Sequence, residues 1–329
     1  MKAIAQDRYG SPEVLRLTEV ERPVPAEREV LVRVRAASVN ARDWHVMRGD
    51  PYVARLAFGL RRPSPRVRGT DFAGRVEAVG GGVTRFRPGD EVFGEADGAF
   101  AEYVAAPQDA VAPKPAAWTY EQAAAVPLAG NTALMGLRDA AGVQAGRRVL
   151  VNGASGGVGT FAVQIAASMG AEVTAVCSPR NTDLVAALGA DHVVDYTRED
   201  FTRGGRRYDV VLDLVGNRSL TAFRRALTPT GALVLSGGGV SRGGVFGRGS
   251  LLGPVALMLK GRLASGFVRQ RLTVLTATPS SENLAALAAL AEAGSLTPSV
   301  DRSYPLSEVP EALRYVEVEH ARAKVVITV

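Results

Sequence analysis

The stretch Val149-Leu150-Val151-Asn152-Gly153-Ala154-Ser155-Gly156-Gly157-Val158-Gly159 decides the fold. An aliphatic run ends in a glycine-rich turn. The turn feeds Thr160 to Ala167, whose apolar spacing suits a helix that Gly170 would stop. Strand, glycine turn and helix in that order make a phosphate cradle. Glycines let the backbone approach a pyrophosphate, and the helix N-terminus offers unpaired N–H groups and the positive end of its dipole. Against the usual G-x-G-x-x-G, Ala154 replaces the first glycine, while Gly156 and Gly159 hold the other two places. Ser155, Gly156, Gly157, Val158 and Gly159 are the candidate pyrophosphate contacts.

A pattern of this kind alone is weak, and its surroundings strengthen it. Strands are expected at Glu172 to Val176, His192 to Val194, Asp209 to Leu214 and Ala232 to Leu235. Helices are expected around Leu184 to Leu188 and Leu220 to Leu227. Alternation at these lengths indicates a parallel, doubly wound sheet with its ligand at the carboxyl ends of the strands. There, Leu214 and Gly237 to Gly239 are candidate contacts.

The end of the second strand chooses the dinucleotide. A carboxylate there would bond the ribose 2′-hydroxyl of NAD; an NADP site lacks it and places a cation nearby. The chain reads Cys177-Ser178-Pro179-Arg180-Asn181, with no acid before Asp183. Ser178 can donate to a 2′-phosphate and the planar fork of Arg180 can grip it. The same residues also fit a capped turn with a solvated Arg180. Tyr196 is a further hydroxyl donor candidate, or a half-buried structural tyrosine. The cofactor read from these residues is NADPH.

Composition bounds the rest. The 329 residues are 47% hydrophobic and 22% charged, enough for two cores. A single cysteine, Cys177, excludes internal disulfides and suits a reducing cytoplasm. No signal peptide is recognisable. The most apolar stretch, Leu251 to Leu259, is interrupted by Gly and Pro and is too short to span a membrane. The net charge of +6 is scattered without a dense run, so it points to a phosphorylated cofactor rather than to nucleic acid.

Before the glycine turn the chain changes character. Val30, Val32 and Val34 alternate with Leu31, Arg33 and Arg35 as in a half-exposed strand. Short strands split by Gly and Pro-Gly turns follow through Phe93-Gly94, and make a compact β-rich domain. Thr119-Tyr120-Glu121-Gln122 has the form of a capping box opening a helix that Pro127 interrupts. After Pro279 come an Ala/Leu helix from Asn283 to Ala293 and a closing strand from Lys324 to Val329.

Several motifs in order carry a resemblance over essentially the whole length. They are Ala37-Ser38-Val39-Asn40, Gly69-Thr70-Asp71-Phe72-Ala73-Gly74, Pro88-Gly89-Asp90-Glu91-Val92, Asn152 to Gly159, Leu188-Gly189-Ala190-Asp191 and Lys324-Val325-Val326. The chain resembles the medium-chain dehydrogenase/reductase superfamily in its zinc-free quinone oxidoreductase branch. The resemblance implies an α/β chain in which a GroES-like β-rich catalytic domain is interrupted by a Rossmann nucleotide-binding domain. Expected bounds are residues 1–118, 119–270 and, returning to the first domain, 271–329. It also implies a homodimer.

Zinc-dependent relatives hold a catalytic metal with cysteine, histidine and acidic ligands. Only His45, His192, His320 and Cys177 are available here, and Gly69-Thr70-Asp71 stands where those enzymes have Gly-His-Glu. No metal is expected. Without a Lewis acid, hydride transfer needs an acceptor that delocalises the arriving charge, such as a quinone or an α,β-unsaturated carbonyl.

The resemblance places Asn40 near nicotinamide and substrate. Its sequence context, with Asp43 three residues on, reads equally as a helix N-cap. Tyr52 could donate to a nascent oxyanion or serve as an aromatic lid. His45 reads as helix surface or packing. By resemblance Thr132 touches the nicotinamide, or it is an ordinary helix threonine. Lys324 could reach the 2′-phosphate or be solvated. The Gly- and Arg-rich segment from Ser241 to Phe267 reads first as a substrate lid, with a dimer element or a membrane-surface contact as alternatives. Three functions stay open: an NADPH-dependent reductase of quinones or activated alkenes, a biosynthetic enoyl or enone reductase, and a low-turnover NADPH-binding protein of structural or regulatory role.

Overall fold

The computed structural model describes residues 1–236, 268–319 and 321–329. The chain divides into two units, Met1–Asn131 with Thr278–Val329, and Thr132–Ala277. In chain order the first unit opens with strands β1 (Lys2–Gln6), β2 (Leu15–Glu19), β3 (Glu29–Val39), β4 (Asp71–Val79), β5 (Glu91–Glu95), β6 (Tyr103–Pro107) and β7 (Val111–Pro113). The second unit carries β8 (Arg148–Asn152), β9 (Glu172–Cys177), β10 (His192–Asp195), β11 (Tyr208–Asp213), β12 (Leu227–Leu235) and β13 (Arg271–Val274). The first unit closes with β14 (Val300–Pro305) and β15 (Lys324–Thr328).

In the first unit the main sheet runs β14-β15-β3-β4-β5-β7, with β6 also paired to β3. The chain's last strand thus lies antiparallel beside β3, setting Val325 opposite Val39. Val30, Val32 and Val34 are buried, and Arg33 and Arg35 exposed, as alternation requires. Leu31 is buried too, on the face of the strand opposite Val30 and Val32, so this part of β3 is covered on both faces.

The second unit is one parallel sheet ordered β10-β9-β8-β11-β12-β13. Its order reverses between β8 and β11, which makes the carboxyl ends of those two strands the topological switch point. Leu150, Val176, Val211, Leu233 and Phe223 meet in its core.

The expected domain limits shift. Helix Tyr120–Ala124 packs on β3 and β4, so it stays with the first unit. The division falls instead inside helix Pro127–Leu134, between Asn131 and Thr132. At the other end, the strand Arg271–Val274 extends the parallel sheet and carries the second unit to Ala277 rather than 270. It offers too short an apolar signal for pattern reading, with Leu272 its single buried residue. The Thr119–Gln122 box forms, each side chain accepting from the other residue's backbone N–H at 3.2 and 3.0 Å.

Candidate functional site

The glycine turn is built as the sequence implies, with one difference. Gly153 takes the left-handed conformation at φ +88°, one position before the place of the motif's first glycine. A Cβ there would also lie 2.7 Å from Val215 Cγ2. Gly159 is held by close packing: a Cβ would meet the Gly153 carbonyl oxygen at 2.2 Å and the Ala154 carbonyl carbon at 2.6 Å. At Gly156 a Cβ would come no nearer than 3.5 Å to the Gly153 carbonyl oxygen, an ordinary contact, so no clash requires glycine there.

Helix Gly157–Ser168 starts from this turn with no side-chain cap and no acid in its first turn. Two other helices are capped by serines, Ser219 accepting from Ala222 N and Ser280 from Asn283 N. An uncapped, glycine-lined helix start fits a pyrophosphate, whose oxygens would take the first-turn amides, Val158 among them.

Ser155 and Ser178 are tied together by Asn181, whose Nδ2 lies 2.9 Å from Ser155 Oγ and 3.2 Å from Ser178 Oγ. Asn181 is buried and joins the glycine turn to the end of β9, a link that reading it as a helix cap missed. Arg180 is exposed beside it. Tyr196 is 50% exposed and donates its backbone N–H to the Cys177 carbonyl at 3.3 Å, placing it at the same sheet edge. Ser178, Arg180 and Tyr196 therefore share the carboxyl edge of β9 and β10. Burial pushes the Cys177 thiol up to about 11, with Asp195 adding to it, so this cysteine is a packed strand residue.

At the switch point Leu214 donates its N–H to the Asn152 carbonyl at 3.1 Å. Beside it lies a buried pair that pattern reading did not single out. Asn152 Nδ2 donates to Asp213 Oδ1 at 2.7 Å, and Gly216 N adds a bond to the same carboxylate. Burial raises the Asp213 carboxyl to about 6 against these donors. Gly237 and Gly238, with the whole Ser241–Phe267 segment, lie outside the described residues. Thr132 is buried in helix Pro127–Leu134.

The first unit gathers a different group. Asn40 ends β3's run and precedes helix Ala41–Arg48, and its backbone N–H donates to Asp43 at 2.8 Å, one arm of the anticipated box. Its side chain also bonds beyond that helix. Asn40 Nδ2 donates to Asp71 Oδ2 at 2.9 Å, and Lys324 Nζ donates to Asn40 Oδ1 at 2.6 Å.

Lys324 is 2% exposed and also donates to the Val39 carbonyl at 3.2 Å, with Asp71 Oδ2 3.6 Å away. The anticipated phosphate role for Lys324 does not suit this geometry. Pairing β15 with β3 turns its ammonium into the unit, where acceptors already hold it. Asp71 further accepts from Ser38 Oγ at 3.1 Å and from Leu128 N at 3.2 Å.

Asp71 accepts from Ser38, Asn40 and Leu128, and Lys324 donates to Val39 and Asn40, an arrangement that favours the ionised pair. Burial still holds the Asp71 carboxyl above its usual range and the Lys324 ammonium below its own. Glu95 shares the group with a single donor, Asn131 Nδ2 at 3.3 Å. Burial, helped by the negative charge of Asp71, raises Glu95 to about 8, which keeps it protonated at neutral pH. Tyr52 is not gathered with Asn40. It lies in the short helix Tyr52–Ala54, 49% exposed, with the Arg55 guanidinium 4.7 Å from its ring centroid.

Family models match both parts of the chain: the alcohol dehydrogenase GroES-like domain over residues 26–116, and a zinc-binding dehydrogenase domain over 188–327. The mitochondrial NAD(P)H oxidoreductase RTN4IP1 of Mus musculus is 35% identical across all of this chain and 89% of its own length. The quinone oxidoreductase of Coxiella burnetii superposes with a TM-score of 0.85 at 33% identity, covering 100% of this chain and 99% of that one. The chain belongs to the medium-chain dehydrogenase/reductase family, in its quinone oxidoreductase branch. The Escherichia coli quinone oxidoreductase, solved in complex with NADPH, matches with a TM-score of 0.82 at 27% identity over 100% of both chains. The fold expected from the glycine turn and its flanks is thus the observed one.

Proposed function

We propose that this chain, an NAD(P)H-dependent oxidoreductase by family, transfers hydride from NADPH to quinones or α,β-unsaturated carbonyl compounds without zinc. The cofactor is NADPH. The observation that carries its binding mode is the uncapped helix start over Gly156, with Ser155, Ser178 and Arg180 at adjoining strand ends. Ser155 to Gly159 would take the pyrophosphate; Ser178, Arg180 and Tyr196 would take the 2′-phosphate; Leu214 and Thr132 would line the nicotinamide half. Bound there, NADPH supplies the hydride. The protein supplies orientation and the exclusion of water.

The ligand inventory supports zinc independence. Thr70-Asp71 stands where zinc-dependent relatives carry the His-Glu of their Gly-His-Glu motif, and Asn40 and Asp71 bond to each other and to Lys324. Among the described residues no three His, Cys, Asp or Glu side chains converge as a metal site. The amide of Asn40 bonds to Asp71 and Lys324 inside the first unit, and Asn40 stays a candidate beside the nicotinamide. Tyr52 stays the candidate donor to a developing oxyanion. We further propose a homodimer in a reducing compartment such as the cytoplasm. Among the described residues no helix is long and apolar enough to cross a membrane.

The test follows NADPH oxidation with 9,10-phenanthrenequinone and with a simple enone, before and after chelation. Turnover of either acceptor that chelators leave intact supports the reading. Stoichiometric zinc lost together with activity overturns its metal-free part. NADPH binding without turnover across a broad acceptor panel would make the chain a binder.

A further inference from the structure

Between Pro51 and Thr70 the chain carries five arginines and no carboxylate. Of the seven large hydrophobic side chains exposed among the described residues, three lie within this stretch: Tyr52 at 49%, Leu56 at 73% and Leu60 at 69%. Internal bonds fix the segment's shape. Ser64 N donates to the Phe58 carbonyl at 2.7 Å, Gly59 N to the Arg55 carbonyl at 2.9 Å, and Arg55 Nε to the Gly49 carbonyl at 3.0 Å. Tyr9 Oη donates to the Gly59 carbonyl, and Gly59 sits at φ +112° where a Cβ would meet the Arg62 carbonyl oxygen at 2.2 Å. The chain therefore holds Leu56 and Leu60 out in water by construction. Arg61 and Arg62 are exposed immediately after them, and Arg66 is engaged by the facing Asp7 at 2.6 Å.

We propose that this segment docks the protein on an anionic lipid surface. Leu56 and Leu60 enter the headgroup boundary while Arg61 and Arg62 meet lipid phosphates. Exposed leucines followed directly by arginines match the layered chemistry of such a surface, apolar below and negative above. Single protruding side chains need no shape-matched partner in a fluid acyl layer, whereas a protein partner would have to supply pockets for them. The inference is independent of the substrate reading.

Co-sedimentation with vesicles tests it, using the full chain and phosphatidylcholine with or without phosphatidylglycerol. Binding is expected only with the anionic lipid, and weakens as salt rises. Arg61→Gln/Arg62→Gln should lower partitioning roughly thirtyfold, about fivefold per charge. Leu56→Ser/Leu60→Ser should also lower it, while Val24→Ser, at a residue 86% exposed outside the segment, should not. Unchanged melting temperatures identify the losses as surface effects. Should the leucine variant fail to fold, the arginine variant, confined to exposed side chains, decides alone. Absence of sedimentation, equal binding to neutral vesicles, or full binding by the arginine variant would overturn the proposal. So would soluble polyglutamate binding the chain while vesicles do not, which would assign the surface to an acidic protein.

Discussion

The nucleotide cradle of the second unit and the polar cluster of the first spend their hydrogen-bonding groups in opposite ways. Around Gly153 to Gly159 the chain withholds partners: the helix start has no side-chain cap, and a Cβ at Gly156 would meet no clash. Around Asn40, Asp71 and Lys324 nearly every donor meets an acceptor within the unit, and the charges are buried. A cradle with unmet donors is a binding device. A satisfied buried ion pair is a costly internal fitting whose worth shows when one half is removed.

That asymmetry yields its largest expected effect at Lys324. Lys324→Met leaves Asp71 buried without its counter-charge and should cost about 3–5 kcal/mol in chemical denaturation. Asp71→Asn/Lys324→Met should recover much of the loss, since neither charge then remains. If Lys324→Met instead kept its stability and lost only NADPH affinity, the ammonium would belong to the cofactor after all.

The glycines come next and separate two kinds of cradle residue. Gly159→Ala forces a Cβ into backbone at 2.2 Å and should cost about 1–3 kcal/mol or more in stability. Gly156→Ala, with 3.5 Å of clearance, should melt like the parent and bind NADPH more weakly in fluorescence titration. Matching losses of stability in both variants would make the turn merely structural. Arg180→Ala tests the phosphate end. Losing one charge-assisted contact, about 1.5–3 kcal/mol, should weaken NADPH roughly tenfold to a hundredfold and leave NADH nearly untouched. Equal weakening of both would return Arg180 to the turn.

The same contrast explains what could be read from the sequence. The cradle is local: its residues adjoin along the chain, and glycine spacing maps directly onto backbone geometry. Even so, the left-handed turn belongs to Gly153 rather than to position 154, and that site also has to clear Val215 in the bend after β11. The cluster is nonlocal. Lys324 reaches Asn40 across 284 positions, and only the antiparallel pairing of β15 with β3 brings them together. Motif matching flagged both residues separately but could not show that they consume each other. Asn131 and Glu95 are alike in this: an asparagine in a helix and an acid at a strand end look solvated until the fold buries them. Where the two units divide is nonlocal as well, since the packing of helix Tyr120–Ala124 on β3 leaves no trace in composition.

Glu95 gives the finest test of how dry the cluster is. Its carboxyl rises from an ordinary 4.5 to about 8 on folding, first through burial and then through the charge on Asp71. A group raised on folding binds its proton more tightly in the native state. Its contribution is full below the unfolded value and is lost as pH climbs to about 8. Asp43 and Asp213 are raised only to about 6, so their contributions fade earlier. Between pH 6 and 8, Glu95 should therefore add a downward slope in stability no steeper than about 1.4 kcal/mol per pH unit. Glu95→Gln keeps a neutral group of similar shape and should flatten that part of the profile, measured by urea denaturation at successive pH values. An unchanged slope in the variant would mean that water reaches Glu95 and that it ionises like a surface acid. The cluster would then be a hydrated pocket, and its difference from the cradle one of degree.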